Sequence, residues 1–312
     1  MKPSRWLGAA AQLVVIGAAA FFLIRTARAQ WPTIAAQSLT LSWPPLILAS
    51  ALTVATYGAL IGAWVYSLQW WGHRLRYPAA LYIWFLTNLA RFLPGAIWQF
   101  VGLAALAARY DVSPLAATAA VLMQQLIFLL VGMVVTLVTL PNFLGAWAGG
   151  LSSLAGVLLG AAGLSLLTVA FPALVPRLAR AAARLFRRPF AAPVLTARAF
   201  TPYVLVMLLG WLAYGVAFWQ FGQAVLGERG PGLFLSIGAF VASYVIGLLA
   251  IFAPGGIVVR EAALVAALSP SLGAPAALLL AAGSRLWLLA VELLTALVVV
   301  LAQRARPAVF QS

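Results

Sequence analysis

Four charged residues toward the end of the sequence, Arg260, Glu261, Arg285 and Glu292, are of the types that can do chemistry here. The two arginines offer planar, forked N–H donors suited to phosphate or carboxylate groups. The two glutamates can balance them. Arg285 and Glu292 are seven residues apart, about two helical turns, so they share a helix face. Arg260 and Glu261 follow Pro254, Gly255 and Gly256 in the stretch IFAPGGIVVREAAL at 251–264. Arg260–Glu292 and Arg285–Glu261 are the candidate pairs, and the sequence does not choose between them. A second polar group lies earlier: Asn88, Arg91, Gln99, Gln124 and Gln125, around Pro94 and Gly95. Arg91 has no acid close by in sequence, and Asp111, the only aspartate, is expected near the surface beside Arg109.

Other chemistries lack their parts. There is no cysteine, so disulfide and thiolate chemistry are excluded, and one histidine, His73, cannot build a metal site alone. In QWWGHRLRY (69–77) it reads as part of an interfacial aromatic belt. A lone aspartate cannot form an aspartyl dyad. Neither a G-x-S-x-G elbow nor a phosphate-binding G-x-x-x-x-G-K-[ST] loop occurs. The loops at 25–44 and 226–231 carry only Glu228 as an acid, too little for a metal-assisted glycosyl transfer. The sequence predicts no enzyme, metal or cofactor.

The elements that position these groups must sit in lipid. Hydrophobic residues make up 65% of the 312 and charged residues 7%, against about 25% in soluble domains; mean hydropathy is +1.08. Apolar runs predict helices at 7–24, 45–68, 77–93, 95–108, 115–140, 151–172, 202–225, 232–253, 255–268 and 275–302. The runs at 95–108 and 255–268 are too short to cross a hydrocarbon core of ~30 Å. Each follows a Pro-Gly, where proline stops a helix and glycine permits reversal. Each therefore pairs with the run before it as a helical hairpin that returns to its side of entry. The expected fold is an all-α, polytopic membrane domain over 1–312, with about eight transmembrane helices, two of these being Pro-Gly-interrupted hairpins.

Arginine placement supports this arrangement. With a cytoplasmic N-terminus, Lys2, Arg5, Arg74, Arg76, Arg109, Arg177, Arg180, Arg184, Arg187, Arg188, Arg198, Arg304 and Arg306 fall inside. Only Arg25, Arg28 and Arg229 fall outside, and Arg91, Arg260 and Arg285 lie at membrane depth. This is a strong positive-inside bias, and it accounts for the net charge of +15 without nucleic acid. Both termini are expected in the cytoplasm. Residues 177–198 are expected to lie as an amphipathic interfacial segment, serving topology alone or also meeting anionic headgroups. Ala27-Arg28-Ala29 offers a second reading, a signal-peptidase site, which leaves the remaining topology unchanged.

A shift of 160 residues overlays two halves. RFLPGAIWQFVGLAAL (91–106) falls on IFAPGGIVVREAALVA (251–266), matching Phe92, Pro94, Gly95 and Ile97 to Phe252, Pro254, Gly255 and Ile257. Gln125 falls on Arg285, and Gly132 on Glu292. The predicted organisation is an inverted repeat: repeat one about 45–140, a basic cytoplasmic linker at 173–201, and repeat two about 202–302. Facing interrupted helices of this kind are the architecture of transporters, with the site near the midplane. The polar groups then either lock the hairpins to neighbouring helices or line a headgroup path; both can hold together.

FLPGAIWQFVGLAALAARYDVSPLAATAAVLMQQL and LLAIFAPGGIVVREAALVAAL together resemble the lysylphosphatidylglycerol synthase transmembrane-region family, also called flippase-like integral membrane proteins. The likeness covers about residues 45–302, and Pro-Gly-Gly-x-x-x-Arg-Glu is its specific part. The resemblance implies a bacterial inner-membrane protein that moves, or helps move, a lipid between leaflets. It carries Pro254, Gly255, Gly256, Arg260 and Glu261 as motif positions, with Pro94 and Gly95 in the first half. The family often has glycine where Val258 stands. In the full-length synthases a soluble aminoacyl-transferase domain follows this region; here the sequence stops at Ser312, so lysyl transfer is not expected. The expected lipid path is Arg260, Glu261, Arg285, Glu292, Arg91, Gln99 and Gln125. Expected partners are membrane lipids with anionic headgroups, and a second copy or an envelope-pathway protein. The alternative function is a non-catalytic subunit or scaffold of such a pathway.

Overall fold

The computed structural model describes residues 41–92, 98–140, 153–185, 195–250 and 258–306, with single positions at 25, 28 and 32; at 91–92, 153 and 178–185 only the backbone is described. The expected run at 7–24, the Ala27–Ala29 site, and the hairpin residues Pro94, Gly95, Pro254, Gly255 and Gly256 lie outside the described residues, apart from the backbone at Arg28.

The described residues form nine α-helices: α1 (Trp43–Gln69), α2 (Tyr77–Asn88), α3 (Trp98–Ala107), α4 (Pro114–Thr139), α5 (Ser153–Leu185), α6 (Ala197–Leu226), α7 (Leu233–Leu249), α8 (Val259–Leu272) and α9 (Ala274–Ala305). Proline within the first two positions starts α1, α2, α4 and α9, where its missing N–H has no helical partner to lose. The Thr196 side chain caps α6 by accepting from the Ala199 N–H. Short 3-10 turns extend α2 (Leu89–Phe92) and α3 (Ala108–Tyr110).

Five stretches are long and apolar enough to cross a membrane: Trp43–Gln69, Pro114–Thr139, Leu154–Arg177, Ala197–Arg229 and Ala274–Ala305. α2, α3, α7 and α8 have 12, 10, 17 and 14 residues. At about 1.5 Å per residue all four fall short of the ~30 Å core. The described residues thus hold five spans and four short helices, an all-α polytopic arrangement.

The order long, short, short, long occurs twice, as α1–α4 and α6–α9. Packing follows the same exchange. α1 lies on α2 as α6 lies on α7; α2 on α3 as α7 on α8; α3 on α4 as α8 on α9. Between the halves, α2 packs on α9 as α7 packs on α4, and α1 on α9 as α6 on α4. The most extensive helix pair, α1 and α6, runs antiparallel. The Ser42 N–H at the start of α1 donates to Ala224 O at the end of α6, at 2.9 Å. The Tyr66 hydroxyl near the end of α1 donates to Ala199 O at the start of α6, at 3.2 Å. Corresponding helices of the two halves therefore point in opposite directions.

Close helix approach depends on small residues, as lipid gives apolar side chains no reason to leave it. A Cβ at Gly132 on α4 would stand 2.8 Å from Val245 and 2.9 Å from Trp211; one at Gly238 on α7 would stand 2.5 Å from Leu140. Trp211 of α6 stacks on Phe128 of α4 at 4.0 Å and donates its indole N–H to Phe128 O at 2.7 Å. The matching interface, α1 with α9, also carries an indole donor, Trp287 Nε1 to Ser50 Oγ at 3.0 Å.

α5 has no counterpart among the described helices. It lies on α4 and α6, stacking Phe171 on Phe200 at 5.1 Å, while Leu158, Leu166 and Val169 are exposed toward lipid. It also reaches into the stretch expected as a linker. The helix runs to Leu185 through Pro172 and Pro176, and α6 begins at Ala197, so most of 173–201 is helical. Proline is tolerated in membrane helices, and Arg177, Arg180 and Arg184 recur at spacings of three and four that suit one helix face.

Candidate functional site

α8 and α9 bring two of the expected charges into contact. Arg285 Nη1 donates to Glu261 Oε1 at 2.7 Å, with 10% and 22% of the two side chains exposed. Of the candidate pairs, Arg285–Glu261 is therefore made. Glu261 Oε2 is buried and has no hydrogen-bond partner among the described residues.

Glu292, fully buried at the middle of α9, accepts a hydrogen bond from Asn88 Nδ2 at 2.6 Å. The donor comes from the last turn of α2, so this bond joins the two halves. The arrangement satisfies a carboxylate that would be costly to bury alone.

Arg260 takes a third solution. Its guanidinium carbon stands 5.0 Å from the Phe240 ring centroid and 4.8 Å from that of Tyr244. These rings lie four residues apart on α7 and so present one face. Cation–π contacts of this kind contribute ~0.5–2 kcal/mol each, more as water is excluded. The preceding residue but one, Val258, caps α8 with φ +70° and ψ −45°. A β-branched residue is strained there, by about 1–3 kcal/mol. The cap aims Arg260 and Glu261 from the first turn of α8.

The remaining expected residues divide. Gln99 is half-buried on the first turn of α3, and Gln125 is half-buried on α4. Arg91 lies in the 3-10 turn after α2, its side chain outside the described residues. Gln124 is buried and donates Nε2 to Leu60 O at 2.9 Å, tying α4 to α1.

Sequence reasoning did not find the aromatic bed beneath Arg260, although the i, i+4 spacing of Phe240 and Tyr244 carried a signal. It also missed a cavity of about 310 Å³ lined by Tyr82, Leu106, Arg109, Tyr110 and Gln303. The cavity thus brings together the middle of α2, the end of α3 with its 3-10 turn, and the end of α9. Burial and the neighbouring Tyr82 push the Tyr110 phenol above its ordinary pKa, against a smaller lowering by Arg109, so it remains a protonated donor.

The cavity and the buried pairs are connected by one helix face. From Arg285 to Glu292 is seven residues, and from Glu292 to Gln303 eleven, about two and three turns. The three side chains form a file along α9 with steps of about 10 and 16 Å.

Comparison with curated proteins finds no match. The family model described as the lysylphosphatidylglycerol synthase TM region matches residues 9–302, which ties the chain to membrane-lipid function. With five spanning helices and a match over nearly its whole length, the chain is a multi-pass membrane protein that belongs to the lysylphosphatidylglycerol synthase transmembrane-region family.

Proposed function

We propose that this protein moves an anionic phospholipid or a polyprenyl or glycolipid amphiphile between leaflets, without covalent chemistry. The observation that carries this reading is the polar file Arg285, Glu292, Gln303 along α9. A headgroup needs polar partners at intervals through hydrocarbon, while its chains need none. Arginine and glutamate at this depth cost ~2.5–3.5 kcal/mol each at a helix centre on insertion scales, an outlay that packing alone can avoid with apolar residues. The antiparallel α1–α6 pair and the short helices favour a site reached from either side. The arginines at the cavity end, Arg74, Arg76, Arg109, Arg304 and Arg306, are all exposed. By the positive-inside rule that end, with the C-terminus, faces the cytoplasm of a bacterial inner membrane. The chain supplies no nucleotide-binding loop, so gradient, membrane potential or mass action drives movement.

The second reading is a scaffold for an envelope-lipid pathway. In its favour, the Arg285–Glu261 pair ties α8 to α9. A leaflet-resolved assay of fluorescent phospholipid in vesicles of the purified protein separates the two. Translocation is expected, with Arg260→Ala and Glu261→Ala reducing it far more than they reduce expression. No movement above protein-free vesicles would favour the scaffold.

A further inference from the structure

We infer that residues 7–24 form a membrane helix seated in the groove between α1 and α9, as α5 sits between α6 and α4. In their most apolar stretches α4 and α6 are 50% buried, but α1 and α9 only 33%. The missing cover has a definite place. α5 meets α4 toward the end of that helix: a Cβ at Gly160 would stand 2.7 Å from Val138 and 3.2 Å from Val134, and one at Gly163 3.5 Å from Val134. The shift of 160 residues carries Val134, Leu137 and Val138 onto Leu294, Leu297 and Val298. Val134 and Leu137 are half-buried, whereas Leu294 and Val298 are 63% and 64% exposed, and Leu297 is exposed with them. Together with the exposed Leu301 they recur at the spacing of one apolar helix face. At the other end of the groove Trp43 and Ile47 of α1 are exposed, while Tyr203 and Met207, their matches on α6, are buried.

Lipid can cover an apolar face, so exposure alone names no occupant. Chain order names one: α5 precedes α6, and the run at 7–24 precedes α1. Direction agrees. α5 starts beside the end of α4 and brings Phe171 to Phe200 at the start of α6. α2 follows α1 after a short turn and runs antiparallel to α9, since Tyr82 packs with Val300 while Asn88 bonds to Glu292. The end of α9 and the start of α1 therefore lie at opposite ends of the bundle. A helix that begins beside Val298 and finishes beside Trp43 delivers the chain to α1. Length agrees as well, because the run covers about 27 Å at 1.5 Å per residue, close to the ~30 Å core. Leu7-Gly8-Ala9-Ala10 also repeats Leu159-Gly160-Ala161-Ala162, the stretch whose glycine meets Val138. Gly8 and Ala11 then take the places of Gly160 and Gly163, and both are small enough for close approach. The family match begins at residue 9, so nearly the whole run belongs to the shared membrane region.

The sequence contains no cysteine, so introduced thiols react without background. Four variants of the full chain pair Gly8→Cys or Ala11→Cys with Leu294→Cys or Val298→Cys, and each is oxidised in native membranes. Disulfides close only where the two Cα atoms lie within about 7 Å. At least one of the four pairs is expected to lose its free thiols, to stay at monomer mobility on a non-reducing gel, and to show the two peptides joined in the mass spectrum of a digest. Gly8→Cys and Ala11→Cys paired with Leu166→Cys, on the lipid-facing side of α5, are expected to keep their thiols. Failure of all four pairs to close overturns the inference, as does equal closure with Leu166→Cys. Closure seen only as a dimer, between chains that each carry one cysteine, overturns it in favour of a second copy in the groove. A mature chain that begins after Ala29 overturns it as well, because the occupant has then been removed as a signal peptide. None of these outcomes depends on lipid movement, so the seat stands or falls apart from the proposed function.

Discussion

The two halves share a scaffold but fill it with opposite chemistry. Where α7 meets α4, Gly132 admits Val245 and the edge of Trp211, and the contact is apolar. Where α2 meets α9, the residue that matches Gly132 is Glu292, bonded to Asn88. The residue that matches Gln125 is Arg285, bonded to Glu261. The ends differ in the same sense: Gly238 of α7 packs against Leu140 beyond α4, whereas Tyr82 of α2 and Gln303 of α9 line a cavity. The lesson is that the fold needs no buried ion. One half builds the interface from glycine and valine, so the charges of the other half answer a further demand, and the proposed headgroup path is one that would account for it.

The largest expected effect comes from making the ionic half more like the apolar one. Arg285→Ala takes the guanidinium from the largely buried Glu261 carboxylate, and breaking one side of a buried pair costs up to about 3–5 kcal/mol. Thermal unfolding in detergent is expected to fall steeply and translocation to vanish. The double variant Arg285→Met with Glu261→Leu removes both charges at similar volume, which is often neutral or stabilising. Its unfolding temperature is expected to recover while translocation does not. Recovery of both would assign the pair to packing and abolish the contrast drawn here.

That contrast was partly legible in the sequence. Pro78, Pro114 and Pro275 mark helix starts within a residue or two, since proline lacks only an N–H that the first turn leaves idle. The Arg285–Glu261 pair stood among the candidates because both residues lie on neighbouring elements. The partner of Glu292 was not legible: Asn88 is 204 residues away, and only the antiparallel closure of the halves brings α2 to α9. The rings against Arg260, Phe240 and Tyr244, looked like two more apolar residues among many. Arg109 was read as a topology signal because nothing local reveals Gln303 beside it. The apolar run at 151–172 stops short of the helix end at Leu185 because the polar arginines that follow end the run while the helix continues through Pro172 and Pro176, which a membrane helix tolerates.

The apolar half gives a middle-sized effect. Gly132→Ala places a methyl carbon within 3 Å of Val245 and Trp211, and overpacking of this kind costs about 1–3 kcal/mol. A lower unfolding temperature is expected, with translocation per folded molecule retained, because no polar group moves. Loss of translocation at unchanged stability would show that the α4–α7 contact takes part in movement as much as α2–α9, and the halves would then be functionally alike.

The smallest effect concerns the entry to α8, where the ionic half carries its own strain. Val258 holds φ +70° at the cap, and glycine adopts that conformation freely. The valine side chain is 71% exposed, so little packing is lost with it. Relief of about 1–3 kcal/mol of strain is offset by the ~0.5–1 kcal/mol that glycine loses in ordering. Val258→Gly is therefore expected to raise the unfolding temperature by about 1–3 °C, while Val258→Pro, confined to negative φ, is expected to lower it and displace Arg260 from the Phe240 and Tyr244 rings. If Val258→Gly stabilises the protein yet slows translocation, the strained cap holds Arg260 and Glu261 in position for transport. If it does neither, the aim of those two residues is set by the aromatic bed and by Arg285, and the asymmetry between the halves resides in side chains alone.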